Sequence, residues 1–236
     1  MTAIDPHPQP PTRPGAPPFL MIAVVAALAL GGLLQEVRWR GGFSGIVSSP
    51  IESPAQQLKL GELAFKNGND AVALNLFDHL AAQDNATAQY WLAHMTELGV
   101  GVPKDISRAI SLYEKAAAQN SIPAQTRLGE IYLHGDLTTP DYAKAFDLLG
   151  KAARSGDPRA AMLLGQMYRF GLGTQADPIE SYAWSEVAVI EGFGFAKIER
   201  DAAFASMPPA DREKGATRSA AILGEIQKPS PPSKKL

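Results

Sequence analysis

The chain has 236 residues, enough for one domain or two small ones with a buried core. Its 22 basic and 24 acidic side chains give a net charge of −2, which excludes the broad positive surface of a general nucleic-acid binder. Cysteine is absent, so disulfides, thiolate zinc sites and cysteine nucleophiles are excluded. Seven of the 19 prolines lie in residues 1–18 and three in residues 229–232, so the middle of the chain is the globular part.

The N-terminal region begins with the proline-rich residues 1–18, which we expect to be disordered because proline removes backbone donors and fixes φ. Residues 19–34 follow without a single polar side chain. A helix that spans the bilayer core needs about 20 apolar residues, and the adjacent Arg38 and Trp39 can complete the interface. We therefore predict a single transmembrane helix over residues 19–37.

Two other interpretations of this apolar run stay open. A cleaved signal peptide is disfavoured by the long proline-rich segment before the run, which carries only Arg13 as a basic side chain. A buried helix of a soluble domain is disfavoured because the run is hydrophobic on every side. Charge does not decide the orientation of an anchor, since Arg38 and Arg40 after the run oppose Arg13 and the amino terminus before it.

Two further segments have the composition of irregular chain. Residues 38–54 are rich in glycine, serine and proline and are predicted to form a flexible linker. Residues 227–236 contain three lysines and three prolines, which predicts a short disordered basic tail. The repeat domain is predicted to fill residues 55–226 between them.

The strongest signal in the sequence is a period of 36 residues. Four kinds of residue recur at this interval in three ungapped copies: an alanine, a leucine, a glycine and an aspartate. They are Ala88, Ala124 and Ala160; Leu92, Leu128 and Leu164; Gly99, Gly135 and Gly171; and Asp105, Asp141 and Asp177. Their recurrence predicts three copies of one structural unit.

Each copy is predicted to form two helices joined by a glycine turn. The glycine of each copy is expected to end the first helix in a left-handed cap, and the aspartate to begin the second helix. At the third copy, Asp177 and Glu180 fit an N-cap with a capping-box acid. Gly129 and Gly165 lie inside first helices, where glycine is unfavourable, so we expect a neighbouring helix to approach closely there.

An earlier copy is truncated. Ala73 precedes Ala109 by 36 residues, so its second helix is in register, but Gly61 precedes Ala93 by only 32, so its loop is four residues shorter. The predicted units are therefore repeats at about 55–87, 88–120, 121–156 and 157–193, followed by a cap at 194–226.

These residues resemble the Sel-one-like repeat, a branch of the tetratricopeptide-like superfamily. Its pattern, with Ala, Leu-Gly and Tyr in the first helix and Asp, Ala and Ala-Ala in the second, is matched most fully by residues 88–117 and 124–153. The resemblance implies an all-α, right-handed α-solenoid of helix-turn-helix repeats. It also implies a capping helix pair, with Arg200-Asp201 and Met207-Pro208 as landmarks.

No catalytic, cofactor or metal motif stands out, and the chain is predicted not to be an enzyme. His94 and Glu97 share a helix face and, with Glu130 or His134, leave a metal site as a minor alternative. The main candidate surface is a concave groove lined by first helices, because stacked helix pairs expose such a face to partners. Its predicted residues are Tyr90, His94, Glu97, Thr126, Glu130, His134, Met162, Gln166 and Arg169.

The resemblance implies a scaffold or adaptor that binds a protein or peptide in this groove, with no nucleic acid and no cofactor. It further implies work in a bacterial envelope, with the chain anchored in the inner membrane by one pass and the repeats in the periplasm. The alternatives are a metal-dependent or hydrolytic envelope factor that uses the groove histidines, and an adaptor that faces the cytoplasm.

Overall fold

The computed structural model describes residues 53–227, and every regular element in this range is helical. The predicted disordered tails, anchor and most of the linker lie outside the described residues. A 3₁₀ turn, Pro209–Asp211, precedes the last α-helix. The α-helices are α1 (Pro54–Lys66), α2 (Asp70–Ala82), α3 (Ala86–Leu98), α4 (Ile106–Ala118), α5 (Ile122–His134), α6 (Tyr142–Arg154), α7 (Pro158–Phe170), α8 (Pro178–Ile190), α9 (Ala196–Ser206) and α10 (Arg212–Ile226).

The helices form a solenoid of repeated pairs, in which each helix from α1 to α9 packs mainly on its neighbours in the chain. The first helices of the pairs are α1, α3, α5 and α7, and α9 takes the next place in this row. The second helices are α2, α4, α6 and α8. No helix within residues 53–227 combines the length and the apolar character that a membrane crossing requires.

The predicted helix boundaries follow from side-chain and backbone capping. Asp105, Asp141 and Asp177 each accept a hydrogen bond from a backbone amide in the first turn of the second helix, as predicted. The turns between one pair and the next also recur, because residues 84, 120, 156 and 192 all adopt positive φ. Asp and Asn tolerate this region better than other side chains with a Cβ, and glycine occupies the last two positions.

The capping box predicted at the third copy is wrong. Asp177 caps α8, accepting from the amides of Ile179 and Glu180, but its own amide donates to the carbonyl of Tyr168 at 2.9 Å. That amide is therefore not available to the Glu180 side chain. Glu180 Oε1 instead accepts from Arg218 Nε of α10 at 2.6 Å, which links the C-terminal helix pair to the last repeat.

The glycines inside first helices allow the close helix approach that the sequence predicts. A Cβ at Gly129 would lie 2.6 Å from Leu149 Cγ, and one at Gly165 would lie 2.5 Å from Ser185 Oγ and 3.0 Å from the Ser181 carbonyl oxygen. These distances are too short for non-bonded heavy atoms. Glycine is thus required by packing at both positions, because the second helix occupies the space of a side chain.

The apolar core runs the length of the solenoid in two buried clusters. The first joins α1, α2 and α3 around Phe77 and Leu92, and the second extends from α3 to α10 around Tyr113, Leu164 and Trp184. Both helices of the C-terminal cap pack on α8. Each earlier first helix packs on the second helix that follows it. α9 makes no comparable contact with α10, because α10 packs on α8 instead.

The Gly165→Ala variant is expected to lose about 1–3 kcal/mol of unfolding free energy, because the added Cβ meets α8 backbone that cannot easily move. Gly224→Ala in α10 is the matched control, since a Cβ there meets no atom within 4 Å. Urea unfolding followed by circular dichroism measures both variants. Equal midpoints for the two would show that close approach at Gly165 does not limit stability.

Candidate protein-interaction surface

The structure places the nine predicted groove residues on one side of the three consecutive first helices α3, α5 and α7. They differ in exposure. Glu97, Thr126 and Glu130 are buried, His134 is exposed, and the other five are half-buried. Arg127 joins two of the nine, Glu97 and Glu130, and the role of all nine in binding stays a prediction.

A ladder of ion pairs crosses from each of these helices to the next. Arg127 of α5 donates from Nε to Glu97 Oε2 of α3 at 3.1 Å and contacts the other Glu97 oxygen through Nη2. Arg127 Nη1 also donates to Glu130 Oε2 at 3.1 Å. Arg159 of α7 pairs with the second oxygen of Glu130. Two carboxylates and two guanidiniums thus connect α3, α5 and α7.

Two more contacts continue this ladder at its ends. Arg169 Nη1 of α7 donates to Glu199 Oε2 of α9 at 2.8 Å. Trp91 Nε1 of α3 donates to Glu62 Oε1 of α1 at 3.1 Å. The five helices α1, α3, α5, α7 and α9 are therefore linked side by side. We call their shared surface, with these side chains and the nine predicted residues, the first-helix face.

The ladder follows a simple register that the repeat pattern does not reveal. In the ion pairs Arg127–Glu97, Arg159–Glu130 and Arg169–Glu199, the residues are 29 or 30 positions apart, which is the 36-residue period less six or seven. The Trp91–Glu62 bond does not follow this register, because α1 is offset from α3 by 32 residues. A side chain in the later part of one helix therefore reaches a side chain about two turns earlier in the next. The sequence prediction did not include Arg127, Arg159 or Glu199. A search for opposite charges 29 or 30 residues apart could have found these three residues.

The acidic centre of the first-helix face is held in its charged form. Burial opposes ionisation of Glu97, but the hydrogen bonds and charge of Arg127 hold the pKa of this carboxyl below its ordinary value. Tyr113 Oη also donates to Glu97 Oε2, at 2.8 Å. Burial and the adjacent Glu97 carboxylate together raise the pKa of Tyr113, so its hydroxyl remains a donor.

These pairings bear on the alternative of a metal site. Both Glu97 and Glu130 already interact with guanidinium groups, which compete with a cation for the same oxygens. Over the described part of the chain, no group of three or more potential metal ligands lies close enough together to hold an ion. The residues of the face therefore do not fit a metal centre.

An aromatic cluster lies at the N-terminal part of the first-helix face. The ring of Trp91 is 5.4 Å from Phe65 and 6.1 Å from His94, measured between centroids. Tyr90 and His94 stack with parallel rings 6.2 Å apart. Trp91, Tyr90 and His94 are half-buried, so each keeps part of its surface accessible. Partly exposed aromatic side chains on a fixed helix are typical of recognition surfaces.

Apolar side chains are exposed toward the C-terminal end of the same row of helices. Phe170 ends α7 and lies under the Arg169 guanidinium, 4.8 Å from ring centroid to carbon. Phe195 and Ile198 at the start of α9 are 78% and 74% exposed. The first-helix face thus combines an aromatic cluster, a central network of paired charges and an apolar end.

This architecture defines a class of protein, the helical repeat solenoid, whose stacked pairs present a continuous face of first helices. Three consecutive segments, residues 86–121, 122–157 and 158–192, match the family model of the Sel1 repeat. The match to these three segments agrees with the resemblance drawn from the sequence. No match was found among the curated protein sequences compared with this chain.

Two solved structures share this fold. A Sel1 repeat protein from Oxalobacter formigenes is 23% identical over 75% of this chain and 73% of its own, with a TM-score of 0.61. The protein c5321, a protective antigen present in uropathogenic Escherichia coli strains and displaying an SLR fold, is 22% identical, with a TM-score of 0.52. That match covers 78% of this chain and half of the antigen chain. At these identities the similarity shows the fold alone.

The Arg127→Met variant is expected to lose about 3 kcal/mol of unfolding free energy, because it leaves the buried Glu97 carboxylate without its cation. The double variant Glu97→Gln with Arg127→Met should regain part of this loss, since no unpaired charge then remains. Arg108→Met is the control, because its pair with Asp78 is exposed and long at 3.7 Å, and should cost less than about 1 kcal/mol.

Urea unfolding of the unmodified protein and the three variants gives these free energies. If Arg127→Met is no less stable than Arg108→Met, the ladder does not contribute to the stability of the stack.

Proposed function

We propose that this chain is a Sel1 repeat protein that acts as a non-enzymatic scaffold, binding a protein or peptide along the first-helix face. Sel1 repeat proteins are generally protein-interaction scaffolds. The observation that supports the proposal for this chain is the ladder of ion pairs across α3, α5, α7 and α9, which the Trp91–Glu62 hydrogen bond extends to α1. These contacts link five helices side by side before any partner arrives. A surface that is already ordered loses less conformational entropy on binding.

The chemistry of the face indicates how a partner is recognised. Its glutamates and arginines largely neutralise one another, so a strongly charged partner finds no uncompensated patch among them. The accessible remainder is aromatic, apolar and amide: Trp91, His94, Gln166 and Phe170. We therefore infer an extended segment that offers apolar side chains and backbone hydrogen bonds, bound with little dependence on salt.

A photo-crosslinking amino acid at Gln166 is expected to capture one specific partner in cells, because this half-buried side chain of α7 keeps part of its surface accessible on the face. The matched control carries the same group at Asp147, an exposed position on the second helix α6. Mass spectrometry identifies the captured protein. Specific capture from position 147 and none from position 166 would place the binding surface on the second helices instead.

The cellular setting is a separate part of the proposal. The apolar run 19–34 supports an anchor in a bacterial inner membrane, with the repeats on the periplasmic side, where they assemble or regulate an envelope complex. The same run is compatible with a cleaved signal peptide or with repeats that face the cytoplasm.

The absence of cysteine makes this setting testable with one engineered thiol. Ser48→Cys, in the predicted linker, is expected to react with a membrane-impermeant maleimide when only the outer membrane is permeabilised. The control is the same cells with both membranes opened, in which the thiol reacts in either orientation. Protection of the thiol until the inner membrane is opened would place the repeats in the cytoplasm.

A further inference from the structure

The exposed apolar side of α9 forms a stripe that no other part of residues 53–227 covers. Its members are spaced by three and four residues, so they lie along one side of the helix. We call Phe195, Ile198, Ala202 and Ala205 the end stripe. Phe195 and Ile198 are the two most exposed large hydrophobic residues described, at 78% and 74%. Ala202 is half-buried and Ala205 is exposed.

The 36-residue period relates the end stripe to residues of the preceding first helix, α7. Ile198, Ala202 and Ala205 follow Met162, Gln166 and Arg169 by 36 residues each. The last of these three residues in α7, Arg169, bonds Glu199 of α9, so this side of α7 adjoins the next first helix at its C-terminal end. The end stripe is therefore the surface on which another first helix would stack, and it continues the helix-to-helix interface already present in the molecule.

The last described helix, α10, does not cover this surface. α10 packs on α8: a Cβ at Gly215 would lie 2.9 Å from the Tyr182 ring, Arg218 bonds Glu180, and Ile222 is buried in the main cluster. Apart from the junction, where the Arg212 guanidinium lies over the Phe204 ring, α10 is directed away from α9. The stripe is thus left open at the end of the row.

Charge complementarity argues against a head-to-tail stack of copies. The residue of α1 that takes the place of Arg127 in the repeat register is Lys59, which is exposed on the opposite end of the row. A head-to-tail stack would place Lys59 against Ala205, where α3 has Glu97, α5 has Leu133 and α7 has Arg169. No carboxylate at that position could pair with the lysine, so burial of its charge would be uncompensated.

The stripe is instead complementary to itself. It has large side chains at its N-terminal half and alanines at its C-terminal half. When two such helices cross antiparallel near Ala202, Ile198 of each lies over Ala205 of the other. We propose that the end stripe pairs with the end stripe of a second copy, giving a two-fold dimer through α9. Such an interface is closed, so it forms dimers and does not extend into filaments.

The experiment uses the full chain in its membrane or in detergent, where Ala202→Cys supplies its only thiol. Under mild oxidation this variant is expected to form a disulfide-linked dimer that a reductant separates, because the two Cβ atoms meet near the axis. Ala55→Cys is the matched control, because Ala55 is an exposed alanine on α1 at the opposite end of the row. This variant should form no disulfide-linked dimer.

A second pair of variants separates this interface from dimerisation elsewhere, including through the apolar run 19–34. Adding Ile198→Glu to Ala202→Cys should reduce the crosslink at least tenfold, because it places a charge in the stripe. Adding Leu98→Glu should leave the crosslink unchanged, since Leu98 is an exposed apolar residue on α3.

Circular dichroism checks that all variants remain helical. Three results would overturn the proposal: crosslinking of Ala202→Cys no greater than that of Ala55→Cys, a crosslink that survives Ile198→Glu, or disulfide-linked multimers of a variant that carries both cysteines when neither single variant crosslinks.

Discussion

The buried carboxylate of Glu97 imposes the constraint on which the first-helix face depends. A carboxylate removed from water is costly unless a cation and hydrogen-bond donors surround it, and here Arg127 and Tyr113 supply both. Since Arg127 belongs to the next helix pair, the pairing can be satisfied only when two pairs stack in the correct register. The local need of one side chain thus specifies the arrangement of neighbouring repeats, in addition to the apolar contacts between them.

The internal geometry of a repeat was largely predictable from the sequence. Glycines at positions 99, 135 and 171 end first helices in the left-handed conformation, and the aspartates that follow cap second helices, because both effects act within a few residues of chain. Close approach at Gly129 and Gly165 was also predictable, since an interior glycine needs a packing reason. All these signals are local or recur at the period itself.

The contacts between repeats were less predictable. Glu180 was assigned to a capping box from its spacing, but the tertiary contact with Arg218, 38 residues away, determines its partner. Arg127 and Arg159 were missed because they do not recur at 36 residues, and their partners are found only at the period less six or seven. The packing of α10 on α8 depends on contacts of Gly215 and Ile222. These residues are not part of the 36-residue pattern, so the sequence did not predict the contacts.

The same register explains why the two ends of the row of first helices differ. Wherever a following helix exists, its side chains reach back to cover or pair with the helix before it. Within residues 53–227 no first helix follows α9, and its exposed side is apolar where α3 and α7 carry Glu97 and Arg169. The centre of the row therefore offers a surface with its charges balanced, while its end offers a hydrophobic one, and these suit different partners.

The central claim is that the ladder couples successive first helices, and hydrogen–deuterium exchange with mass spectrometry tests it most directly. In the Arg127→Met variant, the account predicts faster amide exchange in α3 as well as in α5, because residue 127 contacts α3 through Glu97. Exchange in α8, which lacks contact with this pair, should remain as in the unmodified protein. Unchanged protection of α3, with faster exchange confined to α5, would contradict the account.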